Sequence, residues 1–123
     1  MKTTEKYIDE IFDFKGLWDM PSKCGLKIMN RGDEKIVIVS ELYQDNPGTS
    51  ITQAASLLAK QICDYFALPY EKMIYIEHNP GMNSKLSFYD EDFFLVEFDL
   101  QNNNFTNTKY KKLKHNEIEE FFN

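Results

Sequence analysis

Residues 35–66 read KIVIVSELYQDNPGTSITQAASLLAKQICDYF, and the fold turns on how this stretch is read. It opens with Ile36-Val37-Ile38-Val39, an unbroken β-branched run. Such a run suits a central strand covered on both faces, here expected over 35–42. Gln44-Asp45-Asn46-Pro47-Gly48 is a strong turn signal. Beyond it, Ile51, Ala55, Leu58, Ile62 and Tyr65 fall in one stripe, widened by Ala54 and Phe66. Thr52, Gln53, Lys60, Gln61 and Asp64 lie away from that stripe. The spacing predicts a long helix ending at Phe66, capped by Thr49 or Ser50 and stopped by Leu68-Pro69. Its stripe is expected to pack on Ile36, Ile38, Ile74 and Ile76 or their strand neighbours.

Working toward the N-terminus, Arg31-Gly32-Asp33 is a turn that makes a hairpin with a strand over 24–29. An integrin-type reading of that tripeptide requires a secreted protein and is set aside. Trp18, next to Pro21, reads as core, with an exposed docking residue as the other reading. Over 4–13, Tyr7, Ile8, Ile11 and Phe12 stand at helical spacing between acids, so a short helix is expected there.

Working toward the C-terminus, 72–77 reads as a strand ended by His78-Asn79-Pro80-Gly81. A second hairpin is expected from 85–89 and 93–99 around Asp90-Glu91-Asp92. A polar loop over 101–108 follows, then a basic stretch, Lys109 to His115, read as a solvated strand or connector. Asn116 and Glu119 then suit a capping box for a last short helix. The fold class is therefore α+β, one domain over 1–123. A mainly antiparallel five-stranded sheet carries the long helix on one face, with short helices at both ends. A right-handed βαβ crossover would make the strand pair flanking the long helix parallel and the sheet mixed.

The formal charge of −6 sets this chain against phosphate backbones, so nucleic acid is an unlikely partner. MKTTEKYIDE lacks an apolar run, and no stretch approaches the roughly 20 apolar residues of a membrane span. A cytoplasmic protein with Cys24 and Cys63 both reduced is the expectation. No paired zinc spacing is present, so neither metal nor cofactor is expected.

Two groups of residues could carry function. Asn46, Gly48, Thr49, Ser50 and Thr52 surround a Gly-containing turn before a helix, where free N–H groups and hydroxyls suit an anion. Glu41, Glu77 and His78 stand at strand ends. If those strands are parallel, they emerge beside the helix start, where α/β proteins bind ligands. His78 could then serve as a ligand-binding residue, or as a general base beside the carboxylates. The favoured reading is a small binding or accessory protein for an anionic ligand or a protein partner. The alternative is a small enzyme using general acid–base chemistry at Glu41, Glu77 and His78.

Gly16-Leu17-Trp18, Pro21 with Cys24-Gly25-Leu26, Glu41-Leu42, Asp45 through Thr52 (DNPGTSIT) and Ile76-Glu77-His78-Asn79-Pro80 together resemble a group of small bacterial proteins. The resemblance covers the chain from about residue 16 to the last helix. It implies a bacterial or mobile-element source and carries over no activity, cofactor or catalytic residue.

Overall fold

Ile36, Val37, Ile38 and Val39 are all buried, as a strand covered on both faces requires. In the computed structural model, which describes residues 7–41, 51–79, 92–101 and 104–122, this strand lies third in a six-stranded sheet. The strands are β1 (Tyr7–Lys15), β2 (Pro21–Arg31), β3 (Glu34–Glu41), β4 (Met73–Asn79), β5 (Asp92–Gln101) and β6 (Asn104–Lys112), side by side in chain order. Helix α1 (Ala55–Phe66) joins β3 to β4, and α2 (His115–Phe122) follows β6. β3 and β4 run parallel, and the other neighbouring pairs are antiparallel. The class is α+β and the sheet is mixed.

The side chains of β3 divide by parity. Val37 and Val39 join Phe12, Phe14, Leu26, Tyr75 and Val96 under α1, against Leu58, Ala59 and Ile62. Ile36, Ile38 and Ile76 face the other way, with Leu113 and the half-buried Ile118 and Phe121 of α2. The α1 stripe therefore packs on the strand neighbours of the four isoleucines named from sequence, because adjacent strand residues point to opposite faces.

Several expectations are corrected. The segment expected as an N-terminal helix is β1. Phe12 and Phe14 are buried while Ile11 and Asp13 are exposed, a period of two. Nine paired positions with β2 outweigh the helical spacing of a short apolar run. The polar segment expected as a loop contributes to β6, since backbone pairing with β5 does not need apolar side chains. Among the described residues the sheet thus has six strands, not five, while the expected strand over 85–89 lies outside them.

Helix α1 begins only at Ala55, with no side-chain cap at Ala54. The expected caps, Thr49 and Ser50, lie outside the described residues. The capping carboxylate of α2 is Glu117, not Glu119: it accepts the Lys114 N–H at 3.0 Å. The Leu113 N–H donates to the Phe93 carbonyl at 2.8 Å, which sets where the chain leaves the sheet and the helix starts.

Trp18 is also corrected. It is 92% exposed at the turn between β1 and β2, with left-handed backbone (φ 61°), as has Asp19 (φ 58°). Beside that turn, Gln61 of α1 acts as a short substitute strand for the sheet edge. Its Oε1 accepts the Lys15 N–H at 2.9 Å and its Nε2 donates to the Lys15 carbonyl at 2.7 Å.

Candidate functional site

The parallel pair ends at Glu41 and Asn79, beside the turn that leads into α1. Glu77 follows the apolar run Ile74-Tyr75-Ile76 and points to the α1 face, where it is only 3% exposed. Its Oε1 accepts the Thr52 hydroxyl at 2.8 Å. Burial pushes the Glu77 carboxyl above its ordinary value; the Thr52 hydrogen bond pulls it back and the Glu41 charge pushes it up again. Thr52 and Glu77 therefore meet, and Glu41 ends the neighbouring strand on the same face. The described part of this corner carries acids, and the Thr52 hydroxyl is engaged by a carboxylate.

Tyr75 lies two residues before Glu77 on the same face. Its hydroxyl is buried and has no hydrogen-bond partner among the described residues. Burial drives this phenol well above its ordinary value, with Glu77 and then Cys24 adding to the shift. The thiols of this face are free and buried. Burial, aided by Asp13, pushes Cys24 up to about 12. Burial, aided by Asp64 and Glu71, pushes Cys63 up to about 11. Both are therefore protonated at neutral pH and poor nucleophiles.

His78 is adjacent to Glu77 in sequence but lies on the opposite face. Its Nδ1 is 2.8 Å from the Ser40 hydroxyl, its register partner on β3. Its ring stacks on Phe93 at 4.6 Å and 17°. The sheet itself stands between His78 and the Glu41–Glu77 pair. Strand parity carries that signal: positions 41 and 77 share a face on the parallel pair, whereas 40 and 78 share the other.

Asn46, Gly48, Thr49 and Ser50 lie outside the described residues. The N-terminus of α1 is at Ala54 and Ala55, downstream of the turn from which an anion site was expected. Among the described residues no group of three or more His, Cys, Asp or Glu is placed to hold a metal ion. No helix among them is long and apolar enough to cross a membrane. The basic stretch is matched by acids: Lys109 is 4.0 Å from Glu97, Lys111 2.7 Å from Glu117 and Lys112 3.3 Å from Asp92.

The hairpin tip follows the second of the two readings of Trp18, and the exposure of its apolar neighbours is what sequence reasoning missed. Leu17, Trp18 and Met20 are all exposed there, three large apolar side chains within four residues. The signal was present in Gly16-Leu17-Trp18-Asp19-Met20-Pro21, where a glycine and a proline bracket apolar residues in a turn. Comparison with protein-family models, curated proteins and solved structures finds no match, so the functional reading rests on geometry.

Proposed function

We propose that this chain is a small binding protein, not an enzyme, and that it engages a protein partner through the hairpin tip Leu17–Met20. The observation that carries this reading is Trp18, 92% exposed on left-handed backbone. Left-handed backbone costs a non-glycine residue about 1 to 2 kcal/mol. A tryptophan held this way, with almost no burial in return, is explained by burial elsewhere, and Trp is among the residues enriched as interface anchors. A net charge of −6 opposes pairing with a second copy. The occupant is a different protein, with an apolar pocket inside a basic rim.

The enzyme reading loses support because His78 and the two carboxylates occupy opposite faces. The anionic-ligand reading loses support because the described part of that corner presents Glu41 and Glu77.

The test exploits Trp18 as the single tryptophan of the chain. Its fluorescence should be open to a soluble quencher in the free protein and shielded once a purified partner binds. Trp18→Gly should weaken that binding by roughly thirtyfold or more, the effect of an interface anchor. The same variant should gain about 1 kcal/mol in denaturant titration, since glycine accepts left-handed backbone freely. Unchanged affinity in Trp18→Gly, or a tryptophan still quenched in the complex, refutes the proposal.

A further inference from the structure

Among the described residues the sheet has two outer strands, β1 and β6, and they close it differently. An open strand edge is a template for another chain, and proteins guard such edges with lysines and bulges. β6 carries both guards. Lys109, Lys111 and Lys112 are exposed along it, and its register against β5 shifts between Glu97 and Phe98. β1 instead pairs with β2 at nine successive positions without a shift. Between Glu10 and Phe14 it carries no lysine, and Ile11 is exposed.

One contact shows which backbone groups of β1 face outward. Gln61 bonds both the N–H and the C=O of Lys15, at 2.9 and 2.7 Å. Lys15 therefore turns its backbone away from β2, where its register partner is Pro21, a residue without an N–H. Outward and inward residues alternate along an antiparallel strand, so Ile11 and Asp13 turn their N–H and C=O outward as well. The Gln61 amide carries the same donor and acceptor as a peptide unit. It sits where the first peptide unit of an added strand would sit, and it closes the edge only at Lys15.

Both faces beside the open part of the edge are apolar. Tyr65 follows Gln61 by one helical turn, and its ring meets Phe12 edge-on at 5.5 Å. Helix α1 thus runs along the edge from Lys15 back toward Phe12, and Tyr65 is 71% exposed there. Ile11 is exposed on the opposite face of the sheet, since its neighbour Phe12 packs under α1. An added strand sends alternate side chains to the two faces, so one row meets Tyr65 and the other Ile11.

We infer that the partner protein adds an extended segment to the outer edge of β1, pairing with the backbone of Ile11 and Asp13. The inference rests on the protein-binding reading above, but not on Trp18 itself. β1 leads directly into the Leu17–Met20 tip, so one partner covers both surfaces. A chain of charge −6 favours a segment flanked by lysine or arginine over a second copy of itself.

The probe is the synthetic peptide Lys-Lys-Val-Ile-Val-Lys-Lys, titrated into the intact chain. It should bind at one saturable site and slow hydrogen exchange at the Ile11 and Asp13 amides. Methylating the backbone nitrogens of its apolar residues keeps its charge and removes the pairing N–H groups. That peptide should bind about tenfold more weakly or worse. Ile11→Pro removes an outward N–H and spares the bonds to β2, so it should weaken binding of the unmodified peptide as much, at an unchanged thermal midpoint. Trp18→Gly should leave peptide binding unchanged, so failure at the edge and failure of the Trp18 reading are told apart. Equal binding of the methylated peptide would mean counterion attraction alone and would overturn the inference. So would absence of saturable binding, protection confined to β6, a loss in Trp18→Gly, or dimers in sedimentation that protect the same amides. If Ile11→Pro is unstable, the methylated peptide decides.

Discussion

The two faces of the sheet are built from alternate residues of the same strands, yet they are closed very differently. On one, the twelve-residue helix α1 sets Ala55, Leu58, Ala59, Ile62 and Cys63 into a core that extends from Phe12 on β1 to Phe98 on β5. On the other, the eight-residue α2 offers Ile118 and Phe121, both half-buried, over Ile36, Ile38 and Ile76. That second cover stops short of β1, where Ile11 is 65% exposed. The difference follows from connectivity. A parallel pair needs a crossover long enough to hold a helix, and that helix must lie flat on the sheet. A helix after the last strand is under no such demand. The α1 face should therefore hold most of the stability, and the α2 face should be the part that opens first.

That contrast breaks most directly with two truncations. Leu58→Ala, on the fully buried side of α1, should cost about 2 to 5 kcal/mol. Phe121→Ala, on half-buried α2, should cost only about 1 to 2 kcal/mol, because part of the ring is already in water. Urea titration of both variants measures the difference. Equal losses would show that α2 is as firmly seated as α1.

A smaller effect tests the polar corner of the α1 face. Glu77 is held above its ordinary value of 4.5, first by burial, against the pull of Thr52, and then by Glu41. The folded chain therefore keeps a proton that the unfolded chain releases in that window. Stability should fall as pH rises from the ordinary glutamate value through the folded one. Glu77→Gln keeps an oxygen for Thr52 and removes the titration. It should be more stable than the native chain near neutral pH and lose that advantage in acid. Denaturant midpoints across this range give the answer; a parallel pH dependence in the two proteins would place the titrating group elsewhere.

The smallest expected change is Tyr75→Phe. The Tyr75 hydroxyl is buried without a partner among the described residues, so removing it should be neutral or stabilising by up to about 1 kcal/mol. A clear loss in thermal melting would reveal a hydrogen bond made by that hydroxyl in solution.

Much of this architecture was legible in residues 35–66. The β-branched run and the helical stripe after it specify a buried strand and an amphipathic helix by local chemistry alone, and both are present. The two-residue turn at Gly32 and Asp33 likewise marks its own hairpin, with Gly32 at φ 64°. The candidate site was legible only in part. That Thr52 and Glu77 meet depends on contacts between residues far apart in the chain.

Local pattern thus determined the central strand, the crossover helix and the first β2–β3 turn, because periodicity and turn chemistry act over a few residues. Tertiary structure decided the rest. It made β1 a strand, since nine pairs with β2 outweigh an ambiguous spacing. It made a polar segment part of β6, since ladder hydrogen bonds belong to the backbone. It turned Trp18 outward, put β1 at the edge of the sheet, and set Glu77 and His78 on opposite faces. Each of these outcomes depends on which strands become neighbours, a long-range choice that no short stretch of sequence contains.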